Sequence, residues 1–351
     1  MSTNDAYSVL AGRHGYQDSV RYRRILEYLM TPQQAEMVTL LPMKHQELAD
    51  KLGMDVIEVR KQVEDLYKKG VIFARGMSAL EDSTFALAVV QLHDITMCPF
   101  DVDDVRDRRL FGLWDDFCVN EWDPDQVAGW VKRDQPQGRV VPAYKAILDS
   151  PEILPCEDMR QIIASARSIA VAHCTCRRRK GALGRKCGKS HTMVDIQFNV
   201  SAEYLIEKNA GKRVSADEAM ALIDECEGLG LIHTCENSTR MRPMWGMCNC
   251  CTDCCMIYEP LNRFNVPVTE CIAASRYEAR LDSDLCTGCE ICVDWCPFGA
   301  IEMVEPEGAF GRKAHIRADR CMGCGICVLK CDFEALRLDL VRPAEHIPQP
   351  Q

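Results

Sequence analysis

A cysteine array stands twice in tandem near the end of the chain. The first copy reads Cys286-x2-Cys289-x2-Cys292-x3-Cys296, the second Cys321-x2-Cys324-x2-Cys327-x3-Cys331. Aligning 281–304 with 316–339, an offset of 35 residues, gives 10 identities in 24 positions, every cysteine among them. Of the 22 cysteines in 351 residues, 19 lie after residue 170. The start, Met1 to Gly15, has no apolar run of the kind an export signal needs, so a cytoplasmic location is expected. Disulfides would be reduced there, and such cysteine density reads as metal or cluster ligation.

The array resembles the bacterial 2[4Fe–4S] ferredoxins over about 60 residues. Two C-x2-C pairs alone would suit zinc, but eight cysteines in a pseudo-symmetric tandem favour clusters. Three thiolates spaced by two residues wrap a loop around one face of a cubane. The fourth begins a helix leading away and reaches the other cluster. The resemblance therefore implies Cys286, Cys289, Cys292 and Cys331 on one [4Fe–4S], and Cys321, Cys324, Cys327 and Cys296 on the second. Gly288 and Gly323 allow the loops to approach closely without a side chain. Asp332 stands where this family usually has proline, and an acid beside a cluster disfavours its more negative, reduced form.

A second cysteine-rich region precedes this one. It holds Cys174-Thr-Cys176-Arg177, then Cys187, and later Trp245-Gly-Met-Cys248-Asn-Cys250-Cys251-Thr-Asp-Cys254-Cys255. Eight cysteines in two bundles exceed what a single zinc site uses. The pattern resembles a domain of iron–sulfur proteins of anaerobes, over about residues 150–340, in which C-x-C-R precedes a C-N-C-C cluster and a terminal ferredoxin unit. At least one further iron–sulfur cluster is expected from Cys174, Cys176, Cys187, Cys248, Cys250, Cys251, Cys254 and Cys255, its ligand set left open. Arg177, Arg178, Arg179, Lys180, Arg185, Lys186 and Lys189 surround the first bundle. They either stabilise a reduced cluster, or form a solvated basic loop, or dock an acidic redox partner. Cys226 falls on the apolar stripe of a helix opening at the Ser215 capping box and reads as core, as do the isolated Cys98, Cys118 and Cys156.

The front of the chain carries a helix–turn–helix pattern over 44–73. Leu48 and Leu52 share a face, Gly53 suits a left-handed helix end, and Asp55 can cap a second helix with the stripe Val56, Val59, Val63 and Leu66. Val71 to Phe73 and Phe85 to Val90 read as two strands, so residues 1–92 resemble a winged-helix module. Four acids (Asp55, Glu58, Glu64, Asp65) face four bases (Arg60, Lys61, Lys68, Lys69) on the second helix, and the net charge of the chain is −10. DNA binding needs phosphate contacts that this balance does not supply, so protein docking or homo-oligomer formation is the expected role. Residues 93–156, acidic and marked by Trp114, Trp122 and Trp130, read as a packed irregular linker. A helix is expected from Asp158 to Ala172, and a short strand over Leu231 to His233.

These readings predict an α+β protein: the winged-helix-like module (1–92), the linker (93–156), a mixed α/β cysteine-rich domain (157–280), a dicluster ferredoxin fold (281–340) and a tail (341–351). No run approaches the ~18 apolar residues of a membrane span. The chain shows no G-x-G-x-x-G after a strand, no P-loop lysine motif and no flavin signature. Electron transfer to or from a larger, flavin-containing oxidoreductase of an anaerobe is the expected function, with the chain a component of that enzyme. A redox-sensing transcription regulator and a reductase with an open iron site in the middle domain are the alternatives.

Overall fold

The computed structural model describes residues 5–74, 83–97, 105–185, 187–189, 193–241, 246–305 and 311–350. Cys98, Lys186 and Trp245 lie outside the described residues. The chain divides into two compact units, one of residues 1–122 with 178–185, the other of 123–177 with 186–351.

The first unit is mainly helical: α1 (Ala6–Gly12), α2 (Val20–Leu29), α3 (Pro32–Thr39), α4 (His45–Leu52), α5 (Val56–Lys68), the hairpin β1 (Ile72–Ala74) and β2 (Ser83–Phe85), α6 (Val89–Met97) and α7 (Val105–Phe117). The turn between α4 and α5 forms for the reasons visible in sequence. Gly53 adopts φ +64° at the end of α4, and the Asp55 carboxylate accepts the Ile57 N–H at the start of α5. Val59, Val63, Leu66 and Tyr67 are buried, while Val56 is only partly so. The second strand is a correction: β2 stops at Phe85, and Val89–Met97 is a helix, because its apolar positions repeat with a helical period.

The stretch read as an irregular linker is also corrected, for it is largely helical. It runs through α7, a π-helical turn (Cys118–Trp122) and α8 (Asp123–Trp130). The three tryptophans formed no periodic stripe because each belongs to a different one of these elements. All three are buried, and Trp114 donates its Nε1–H to Thr96 Oγ1 at 3.2 Å.

The second unit contains, in order, α8, β3 (Gly138–Val141), α9 (Met159–Ala164), β4 (Ile169–His173), the first residues of α10 (Thr175–Ala182), β5 (Met193–Phe198), α11 (Val200–Glu207), β6 (Gly211–Arg213), α12 (Ala216–Gly228), β7 (Ile232–Glu236), β8 (Cys248–Cys250), α13 (Tyr258–Arg263) and β9 (Ile272–Ala273). It ends with β10 (Tyr277–Leu281), α14 (Ile291–Trp295), β11 (Ile301–Val304), β12 (Lys313–Ile316), α15 (Ile326–Leu329) and β13 (Leu336–Leu340). The helix expected up to Ala172 ends at Ala164, and Ile169–His173 is a strand between β5 and β6. Ile169 and Val171 are β-branched and favour that pairing. The Ser215 capping box forms: Ser215 Oγ accepts the Glu218 N–H, and the Glu218 carboxylate accepts the Ser215 N–H.

Two sheets carry the middle region. One is antiparallel in the order β5-β4-β6; the other runs β8-β7-β3-β9, with β9 parallel to β3. In the terminal region β10 pairs with β13 and β11 with β12, both antiparallel; along the chain the first cysteine array lies between β10 and β11 and the second between β12 and β13. Among the described residues no helix is long and apolar enough to cross a membrane.

Candidate metal centres

Each terminal array begins as a loop and passes through a one-turn helix, α14 or α15. The fourth cysteine, Cys296 or Cys331, follows that helix and does not begin one, contrary to the expectation from the spacing. Glu290 and Gly325 hold the equivalent left-handed position before each helix, at φ +66° and +81°. Gly288 and Gly323 are also left-handed, and each makes a close approach that a side chain would block. A Cβ at Gly288 would strike the Arg312 carbonyl oxygen, and one at Gly323 would strike the Tyr277 carbonyl oxygen and Ser275 Oγ. The glycines let the loops lie close against neighbouring backbone.

The cysteines line two cavities. One is lined by Cys286, Cys289, Cys292 and Cys331. The other is lined by Cys296, Cys321, Cys324 and Cys327. In each case three thiols come from one copy of the repeat and the fourth from the other. The donors suit a thiophilic cluster: four sulfurs, apolar walls such as Ala300, Ile301 and Leu338, and backbone N–H groups that meet the sulfurs, as Ala300 N–H does Cys296 Sγ at 3.2 Å. Burial pushes the Cys292 thiol up to about 11 and the Cys327 thiol higher still, so without metal these groups are neutral. Metal uptake must expel their protons.

Residues 285–335 match the family model of the 4Fe-4S dicluster domain. The C-terminal region is therefore a ferredoxin-like iron–sulfur domain with an electron-transfer role. No curated protein and no solved structure matches the chain.

The middle cysteines come together from four places in the chain. Cys174 follows β4 and Cys176 lies in the first turn of α10; Cys187 follows α10; β8 supplies Cys248 and Cys250; the turn after it supplies Cys251, Cys254 and Cys255. Strand alternation sends Asn249 away from its two cysteine neighbours. Its side chain is tied on the opposite side, 2.5 Å from His233 Nδ1 and 2.5 Å from the Val194 carbonyl. Cys251 Sγ lies 2.9 Å from Cys254 Sγ and 3.4 Å from Cys187 Sγ. Cys255 Sγ is 3.7 Å from Cys250 Sγ. Cys255 is also hydrogen-bonded to Cys176, and Cys250 to Cys248.

Thiols this close cannot all ionise alone. Hydrogen bonds from Cys251 and Cys254 hold Cys187 down to about 3, and the same contacts push Cys254 far above the ordinary thiol range. One thiolate is stabilised by its neighbours, and a second would stand against the first. A bound cation removes that repulsion.

The basic residues of α10 are not a solvated loop. Arg177, Arg178, Arg179 and Lys180 are all buried. At about 100° per residue a helix separates consecutive side chains, and Arg177 has electrostatic partners in Cys174, Cys187 and Cys251. Arg179, Lys180 and the more exposed Arg185 instead converge on Asp115, at 3.6, 3.5 and 2.6 Å. Cys118, Cys156 and Cys226 are buried. Burial pushes Cys226 up to about 12 and Cys235 up to about 11, which keeps them protonated.

Three neighbours of the sites had no motif to announce them. Asp253 places Oδ1 3.4 Å from Cys187 Sγ, and Asp195 places Oδ1 3.6 Å from Cys248 Sγ. Trp295, next to Cys296, is flanked by the ammonium groups of Lys189 at 4.7 Å and Lys330 at 4.2 Å from its ring centre. Asp253, inside Cys251-Thr-Asp-Cys254, and Trp295, inside Cys292-x3-Cys296, had sequence positions that could have raised them; Asp195 did not.

Proposed function

We propose that this chain is a multi-cluster electron-transfer protein that passes single electrons to or from a larger, flavin-containing oxidoreductase. The observation that carries the reading is the pair of adjoining four-cysteine cavities, each built from both copies of the repeat. In this reading Cys286, Cys289, Cys292 and Cys331 hold one [4Fe–4S], and Cys296, Cys321, Cys324 and Cys327 the other. Each cubane, when bound, takes up one electron at a time.

The protein supplies a path on both sides. Cys289 is exposed, and the half-exposed Leu285 and Phe333 beside the first array offer an apolar rim for a partner. On the inner side, Cys250 and Cys255 share a packed core with Cys324 and the buried Tyr258. Metal held by the middle cysteines would extend the route inward. The N-terminal helix–turn–helix and hairpin serve, in this proposal, as a winged-helix-like docking or dimer module. Its charged face, with Glu58 and Glu64 beside Arg60 and Lys61, favours protein over DNA.

The test is anaerobic isolation of the full chain with iron and sulfide analysis, dithionite reduction and EPR. Two interacting S = 1/2 clusters that are re-oxidised rapidly by added FMN are expected. Zinc in place of iron in the terminal region, or clusters that dithionite cannot reduce, would overturn the reading.

A further inference from the structure

We infer that the eight middle cysteines form two separate four-thiolate metal sites, Cys174/Cys187/Cys251/Cys254 and Cys176/Cys248/Cys250/Cys255, each taking one thiophilic metal centre. The inference rests on the reading that this region binds metal, and adds how many centres it holds and which residues hold each.

The division follows from the chain path. Cys187, Cys251 and Cys254 are in mutual sulfur contact, and with Asp253 their ligand atoms all lie within 4.8 Å of one another. Cys174 packs with Cys187 against the same apolar cluster, which contains Cys226, Leu231, Cys251 and Cys254. Asp253 is exposed and one of its oxygens already accepts the Gly188 N–H at 3.0 Å, so Cys174 is the fourth sulfur of this set. The buried guanidinium of Arg177 faces this set and donates to the Asn249 carbonyl at 3.1 Å. It supplies positive charge where four thiolates would gather.

The other set is assembled across β8 and α10. Cys248 and Cys250 are two apart on one strand and share a face. Cys250 contacts Cys255, and Cys255 contacts Cys176. Cys250 and Cys255 belong to a different packed cluster from Cys251 and Cys254, one that includes Ile232, Tyr258 and Leu261. Each dipeptide or near pair is thereby split: Cys174 from Cys176, Cys250 from Cys251, Cys254 from Cys255. Cys174 and Cys176 touch at the seam.

Both a single tetrahedral ion and a cubane use four thiolates. Sulfurs bound at about 2.3 Å to one zinc stand about 3.8 Å apart. The Cys250–Cys255 contact of 3.7 Å matches that spacing, and the contacts of 2.9 and 3.4 Å in the other set would open slightly to reach it. A cubane would spread them to admit its irons and sulfides.

The experiment uses the full chain, produced anaerobically with iron, sulfide and zinc available, and counts all three by elemental and acid-labile sulfide analysis. Beyond the about eight irons of the dicluster region, two centres are expected: about eight more irons with sulfide, or about two zinc ions without it. Serine pairs then test the partition. Cys187→Ser with Cys254→Ser should remove one centre, as should Cys250→Ser with Cys255→Ser, whereas Cys187→Ser with Cys250→Ser should remove both. Retention of the dicluster irons and an unchanged far-UV spectrum show that each variant is folded. If a same-set pair removes every middle centre, or the mixed pair removes only one, the partition is wrong. A wild-type count of about eight irons and no zinc would overturn the inference and leave the dicluster reading standing. Absence of those eight irons would overturn the dicluster reading itself.

Discussion

Replacing Gly323 by alanine tests whether the terminal loops owe their shape to neighbouring backbone. Gly323 has φ +64°, and an added Cβ would come inside 3.0 Å of both the Tyr277 carbonyl oxygen and Ser275 Oγ. Ser275 Oγ donates to the Gly323 carbonyl at 2.8 Å and accepts the Tyr277 N–H at 3.2 Å, so the serine cannot turn away without losing both bonds. Gly299 is the matched control, with φ +58° and no atom within 4 Å of its Cβ position. The left-handed conformation costs alanine about 1–2 kcal/mol, and reduced freedom of the unfolded chain returns about 0.4–1 kcal/mol. Gly299→Ala should therefore lose about 1.6 kcal/mol at most. Gly323→Ala adds overpacking against backbone, about 1–3 kcal/mol more. A total of about 1–4.6 kcal/mol corresponds to roughly five-fold to two-thousand-fold more frequent opening. Hydrogen exchange of the 275–281 peptide in the anaerobic full chain reads this directly, since β10 is the element displaced. Exchange in Gly323→Ala within about threefold of Gly299→Ala, a difference near 0.6 kcal/mol, would refute the reasoning.

Ser215→Ala removes one half of the capping box and should lower stability by about 1 kcal/mol, seen as a lower urea midpoint for the second unit. Asp115→Ala leaves the buried cations Arg179 and Lys180 without their carboxylate and should cost about 3–5 kcal/mol in the first unit, measured by thermal unfolding. Burial holds Lys208 down to about 8 from its ordinary 10.5. Between those values the unfolded chain keeps a proton that the folded chain lacks, so this group makes stability rise with pH. Lys208→Met should be more stable than the wild type below pH 8, with the advantage vanishing as pH approaches 10.5, in urea titrations across that window. The full chain should bind non-specific duplex DNA more weakly than ~10⁻⁴ M at physiological salt, by anisotropy. Tight, sequence-selective binding would favour the regulator.

Local order in the sequence determined what depends on neighbouring residues. The tandem array announced a dicluster region because its spacing alone fixes how a loop presents three thiols. Gly53, Asp55 and the Ser215–Glu218 box marked helix ends, since caps are interactions within one turn. The helices at 105–130 escaped because their tryptophans serve three elements, and Ile169–His173 became a strand only through partners at 193–198 and 211–213. The middle cysteines show the limit most clearly. Their number pointed to metal, but Cys174 and Cys176, or Cys250 and Cys251, are close along the chain and could not be parted by spacing. Which sulfurs meet depends on strand alternation at β8, on the path of α10 and on two separate apolar clusters. Tertiary packing also decided that Arg177 faces the thiols while Arg179 and Lys180 face Asp115, because a helix turns neighbouring side chains toward different surroundings.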